Sequence, residues 1–177
     1  MSNRKNIILD LDQTLIYSDL IKDFKPSPKM EKFFYKNLDK DYITFARPHL
    51  QAFLDYIFKK YNVAIWTAAN KPYAIAIINK FILIKPGRKL EFVFYSDHCT
   101  LSKQQKRGLK GLNILWDYFK IRGYNENNTL IIDDNSEVNI IQKKNCYHIP
   151  EFNYNKRGSE NDKELLVLMS ILKDVEK

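Results

Sequence analysis

The sequence predicts a doubly wound α/β fold built on one parallel sheet. Two observations carry that expectation. Short apolar runs at 6–10, 62–66, 91–95, 129–133 and 146–149 alternate with longer helical patterns at 48–60, 71–82, 109–121, 136–143 and 161–173. Two of the short runs also end in paired acids, Asp10 with Asp12 and Asp133 with Asp134. In an open α/β sheet the carboxyl ends of the strands line one crevice, so both pairs fall where such folds hold ligands.

The first strand, Asn6-Ile7-Ile8-Leu9, runs into Asp10-Leu11-Asp12-Gln13-Thr14. Alternate strand residues share a face, so Asp10 and Asp12 converge while Leu9 and Leu11 point into packing. Residues 19–45, with Pro26 and Pro28, are long for a strand-to-helix loop and read as a flap or small β insertion. Pro48 suits the first turn of the next helix, and Pro72 that of the one after it. Pro86-Gly87 marks a turn. The polar, basic run 96–108 reads as an exposed loop, and Gly123 as a helix C-cap. The tail carries Leu165, Leu166, Leu168, Met169 and Leu172 at amphipathic spacing behind Ser159 or Asn161 as N-cap. It is expected to close the core.

Composition bounds the function. With 177 residues and 45% hydrophobic content the chain can bury one core, so 1–177 is expected to be a single domain. Two cysteines imply no disulfide framework and fit a reducing compartment. No apolar run approaches the roughly 20 residues that span a bilayer, and residues 1–5 lack a signal-peptide core. A cytoplasmic or nuclear location without membrane anchoring is the expectation. The net charge of +8 favours an anionic partner, phosphorylated protein, nucleic acid or membrane surface, or else reflects a solvated lysine-rich surface.

The chemistry-bearing residues sit at the joints. Two close acids repel unless a cation or proton intervenes, so Asp10 and Asp12 ask for a metal, a proton-transfer role, or both. Thr67, at the tip of Val63-Ala64-Ile65-Trp66, can hold phosphate oxygens or cap the following helix. Lys110 precedes a helical pattern, where a cation is unfavourable without a bound anion; it could equally be one exposed lysine among many. Asp133 and Asp134 repeat the first pair, or serve as turn and cap residues. Oxygen ligands from these acids would suit magnesium.

In order along the chain, these segments resemble the motifs of the haloacid dehalogenase superfamily. More narrowly, they are similar to the FCP/SCP-like phosphatases that act on the C-terminal domain of RNA polymerase II. Asp10-Leu-Asp-Gln-Thr14 resembles the first motif, DxDxT, and Arg47-Pro48 with Phe53-Leu54 the group's RPxLxxFL segment. Ile65-Trp66-Thr67-Ala68, Lys110-Gly111-Leu112 through Trp116, and Ile131-Ile132-Asp133-Asp134 match the later ones. The resemblance implies a HAD-like sheet with a small β flap and no large cap. It also implies a magnesium-dependent phosphoric monoester hydrolase acting on phosphoserine or phosphothreonine in a protein or peptide. The same chemistry on nucleic-acid ends or nucleotides, and a silent binding module, are the rivals.

The roles follow from the resemblance. Asp10 would be the nucleophile and Asp12 the acid and base. Thr14 would orient Asp12, Thr67 would hold phosphoryl oxygens, and Lys110 would neutralise charge. Magnesium would lie on Asp10, the main-chain carbonyl of Asp12, and the Asp133-Asp134 pair, with Asp134 the direct ligand. Aligned one residue later, on Asp134-Asn135-Ser136, the ligand becomes Asn135. Two departures stand out: Gly111 replaces the usual Asp, and Ser96-Asp97-His98-Cys99-Thr100 lacks the Arg of the group's RDxCT segment.

Overall fold

The structure, a computed structural model, describes residues 4–174. Residues 1–3, part of the segment expected to lack a leader, lie outside the described residues. Five strands form a parallel sheet: β1 (Asn6–Leu9), β5 (Asn62–Trp66), β6 (Leu90–Phe94), β7 (Thr129–Asp133) and β8 (Cys146–His148). Their order is β6-β5-β1-β7-β8, so β1 is central and the chain builds outward on one side before crossing to the other. This is the doubly wound parallel sheet that the alternation predicts.

Strand parity sorts the core into two layers. Ile7, Leu9, Val63, Ile65 and Ile132 point to the face covered by α1 (Leu50–Lys60), α2 (Lys71–Ile77) and α6 (Glu164–Asp174). Ile8, Ala64, Trp66 and Ile131 point to the opposite face. That face is covered by α3 (Ser96–Gln104), α4 (Asn113–Asp117) and α5 (Ser136–Ile140). A central strand packed on both sides reads as a continuous apolar run, as Ile7, Ile8 and Leu9 of β1 do.

The predicted flap is a three-stranded antiparallel sheet of β2 (Ile16–Leu20), β3 (Tyr35–Leu38) and β4 (Tyr42–Ala46), in the order β2-β4-β3. It begins just after the first acidic loop and carries its own aromatic cluster. There Phe45 stacks on Tyr154 at 3.8 Å, and Phe33 and Phe152 pack beside them. Among the described residues no large cap domain accompanies it.

Several boundaries differ from expectation. Residues 96–104, expected as loop, are the helix α3. The His98 ring accepts from the Tyr95 N–H at its start, and Cys99 and Ser102 supply a narrow buried stripe that the polar composition hides. The helix expected over 109–121 shrinks to α4, because Gly108, at φ +81°, and a turn through Gly111 precede it and Lys120, at φ +51°, follows it. Gly123, at φ +89°, therefore caps no helix; its carbonyl accepts from Asn6 instead. Helix α2 gives way to a π-helical turn over Ile78–Ile82, and α5 is also shorter than expected. Pro48 precedes α1 rather than entering its first turn, since His49 takes the cap position at φ +67°. In the tail, the Asp162 side chain accepts from the Glu164 N–H at the start of α6, while the Ser159 hydroxyl donates to the Tyr154 carbonyl instead.

One buried cation ties these parts together. Arg47, 1% exposed, makes a two-pronged pair with Asp162, at 2.9 Å to each oxygen. Its third nitrogen donates to the Thr14 carbonyl at 3.0 Å. It thus joins the first acidic loop to the segment entering α6. Removing one partner of a buried ion pair strands the other charge, so Arg47→Ala is expected to cost about 3–5 kcal/mol. Urea unfolding should show a lower midpoint at unchanged slope.

Candidate active site

Parity also explains which side chains meet. Asp10 extends β1, its N–H donating to the Ile132 carbonyl at 3.0 Å, and follows Ile8 in facing the α3–α5 layer. Asp133, at the tip of β7, follows Ile131 to the same face. Lys110 rises from the turn between α3 and α4 in that layer. Its ammonium lies 2.6 Å from Asp10 Oδ1 and 2.7 Å from Asp133 Oδ2, and the lysine is 2% exposed. Burial alone would lower the lysine's pKa, but the two carboxylates outweigh it and hold the charge in place.

The turn that presents Lys110 is held from both sides. Gln142 donates to the Lys110 carbonyl and accepts from the Leu112 N–H, each at 2.9 Å. Ser102 Oγ accepts from the Gly111 N–H at 3.0 Å. A Cβ on Gly111 would fall 2.3 Å from the Arg107 carbonyl oxygen. The glycine that departs from the usual Asp is thus required by the close backbone approach in this chain.

Thr14, expected to orient Asp12, reaches other acids. Its hydroxyl lies 3.2 Å from Asp10 Oδ2 and 3.0 Å from Asp134 Oδ1, and accepts from the Asp134 N–H at 3.2 Å. With one proton it can donate to only one of these carboxylates at a time. The group on Asp12 is Tyr73, from α2, with its hydroxyl 2.6 Å from Asp12 Oδ1. Burial, followed by the like charges of Asp10 and Asp134, raises Asp12 to about 6, with Tyr73 and Lys110 opposing. Gln13 lies exposed between the acids in a left-handed turn, at φ +64°, and its carbonyl accepts from the Phe152 N–H.

Carboxylate oxygens of Asp10, Asp133 and Asp134 lie within 4.8 Å of one another and could hold a divalent metal ion. The donor set is all oxygen and suits a hard cation. Burial and the Asp10 charge push both Asp133 and Asp134 above the usual carboxylate range, so a cation there would relieve repulsion. Asp133 already has both oxygens engaged, one by Lys110 and the other by the Asn135 N–H at 2.9 Å. Asp134 is half-buried, and its main-chain carbonyl lies 2.8 Å from His148 Nε2. The Asn135 side chain caps α5, accepting from the Glu137 N–H at 2.9 Å.

Thr67 is buried at the end of β5. Its hydroxyl accepts from the Ala69 N–H at 3.1 Å, while Asn70 caps α2. Thr67 is therefore not the cap that the sequence left open. The structure gathers all the predicted site residues around the tips of β1, β5 and β7. Sequence reasoning missed Tyr73, Gln142 and Asp162, which are placed only by contacts across the fold. The Arg47 match to RPxLxxFL was visible, but not its partner.

A family model described as NLI interacting factor-like phosphatase matches residues 5–177. The chain belongs to that family. It is a phosphatase, a phosphoric monoester hydrolase of the HAD type in the CTD-phosphatase-like group. It is 42% identical over 176 residues to the CTD phosphatase-like protein 355R of Invertebrate iridescent virus 6, covering 95% of this chain and 97% of that one. It is 25% identical over 178 residues to the human ubiquitin-like domain-containing CTD phosphatase 1, covering 98% of this chain but 50% of that protein. The structure of Fcp1, described as an essential RNA polymerase II CTD phosphatase, shares the fold, with a TM-score of 0.57 at 20% identity. That match covers 96% of this chain and 50% of the other.

Replacing Lys110 tests the electrostatics of this candidate site directly. Lys110→Met leaves Asp10 and Asp133 facing each other without a cation. A carboxyl whose folded pKa is raised destabilises the fold increasingly as pH rises above its unfolded value. The variant's deficit should therefore be small near about pH 4 and reach about 3–5 kcal/mol by about pH 7. Denaturant unfolding of both proteins across that range, in chelator, measures it.

Proposed function

We propose that this phosphatase removes phosphate from phosphoserine or phosphothreonine in a protein, with magnesium, through an aspartyl-phosphate on Asp10. The supporting observation is the division of labour between the first two acids. Asp10 is locked to Lys110 and Thr14 beside the Asp133-Asp134 pair, while Asp12 stands apart on Tyr73. One acid is thus paired and aimed, and the other is left free to exchange a proton.

In the first step an Asp10 oxygen attacks phosphorus and the bond to the serine or threonine oxygen breaks, with Asp12 delivering a proton to that oxygen. In the second, Asp12 takes a proton from water, whose oxygen attacks phosphorus and releases Asp10 and inorganic phosphate. Lys110 offsets negative charge on Asp10 and the phosphoryl group. Thr67, its accepting side used by Ala69, has a proton to donate to a phosphoryl oxygen. Magnesium, held by Asp10, the Asp12 carbonyl and Asp134, would supply further charge neutralisation. Asp134 is favoured over Asn135 as ligand because the Asn135 side chain is committed to its helix.

A protein substrate fits the surroundings. Among the described residues no large cap covers the strand tips, and Asp12 and Asp134, partly exposed beside the buried Asp10, leave an approach for a phosphate carried on a polymer. Beside them the flap and α2 form an open groove of about 280 Å³, lined by Leu38, Tyr42, Pro72 and Tyr73 together with Asp39 and Asp41, room for a residue next to the phosphorylated one. The names of the relatives make the RNA polymerase II C-terminal domain the substrate to test first.

Hydrolysis of an aryl phosphate should require magnesium and vanish in Asp10→Asn. Phosphoserine peptides should then outcompete oligonucleotides with terminal phosphate as inhibitors; the reverse order would favour nucleic-acid ends. A folded, magnesium-loaded protein that turns over neither class would support a binding module. Separately, magnesium at about a hundred times its Kd should stabilise the fold by about 2.7 kcal/mol. Asp134→Asn should lose most of that gain, whereas Asn135→Ala should keep it while losing about 1 kcal/mol of cap. Thermal melting with and without magnesium separates the two.

A further inference from the structure

The flap contributes more than a wall to the site. Tyr73 Oη lies 2.6 Å from Asp12 Oδ1 and 2.6 Å from Ser18 Oγ. Ser18 Oγ in turn lies 2.7 Å from Thr44 Oγ1, which is fully buried. Ser18 and Thr44 face each other across paired flap strands, and Tyr73 comes from α2. Tyr42, also on the flap, sets its ring edge-on to Tyr73 at 5.3 Å. Three hydroxyls from three elements therefore end on a single carboxylate oxygen.

We infer that Tyr73, backed by Ser18 and Thr44, is the positioning residue of the acid–base carboxylate Asp12. Each hydroxyl has one proton. The Tyr73 hydroxyl has two acceptors in reach, Asp12 Oδ1 and Ser18 Oγ, and its one proton, when given to Asp12, makes Oδ1 an acceptor. The exchangeable proton of Asp12 is then confined to Oδ2, the oxygen left to face the leaving group. The contact at Oδ1 is the same whether Asp12 has just given its proton or is about to. The carboxyl thus stays in one orientation through both half-reactions, which is what efficient proton transfer needs. The inference rests on the acid–base role given to Asp12 above.

The test is the dependence of rate on leaving group. A dinitrophenolate leaves without protonation, whereas a serine alkoxide does not. For wild type, Tyr73→Phe, Ser18→Ala and Asp12→Asn, kcat/KM is measured with 2,4-dinitrophenyl phosphate and with a phosphoserine peptide. The ratio of the first to the second should rise about tenfold or more in Tyr73→Phe, and less but in the same direction in Ser18→Ala. Equal losses on both substrates, or no loss on either, would overturn the positioning role. Ser18→Ala keeps the Tyr73 side chain and carries the same test if Tyr73→Phe does not fold. An unchanged ratio in Asp12→Asn would instead remove the acid role itself, and the inference with it.

Discussion

Crowding of carboxylates at the strand tips is the constraint around which the molecule is arranged. Asp10, Asp133 and Asp134 lie close enough to share one ion, and Asp12 is near enough to feel Asp10 and Asp134. Such a cluster is costly to bury unless positive charge is placed within it. Lys110 supplies that charge inside the protein, and the turn carrying it is fixed by Gln142 and Ser102. The single lysine leaves a negative excess, which gives the site its capacity for a divalent ion. The same electrostatic balance serves folding and binding.

Positioning comes from the alternation of a two-sided sheet. Because β1 and β7 are in register, with Ile8 opposite Ile131, the residues two steps further along each strand face the same layer. Asp10 and Asp133 are those residues, and the layer they face brings Lys110. The loop that follows Asp10 is held through its own carbonyls, by the Arg47 guanidinium at Thr14 and by the Phe152 N–H at Gln13. Both belong to segments that also support the flap or the tail. The acids are thus supported by elements distant in sequence, as a site that must hold repelling groups requires.

The strands were legible because a buried parallel strand is a short apolar run ending in polar residues, and β1, β5 and β7 are such runs. The flap was legible as an excess of residues between a strand and a helix. Helix ends were less so. Over 96–104 only a thin stripe is buried, so α3 is hidden in a lysine-rich segment. Over 109–121 the apolar spacing continues, but positive-φ turns on either side cut the helix short to bring Lys110 to the acids. There the needs of the site override local pattern.

Some of the chemistry was written in the chain: which acids, threonines and lysine stand at strand tips and turns, in what order, and hence the family. Those features are local, set by residue type and by the period of the strand. Other decisions belong to the tertiary structure alone. Thr14 meets Asp10 and Asp134 rather than Asp12; Tyr73 meets Asp12; Asn135 is committed to a helix cap and Asp134 is not; Arg47 finds Asp162. Each is a contact between segments whose separation and angle depend on how helices and flap pack against the sheet. No local periodicity encodes that packing, so only the folded chain shows which oxygen each hydroxyl reaches.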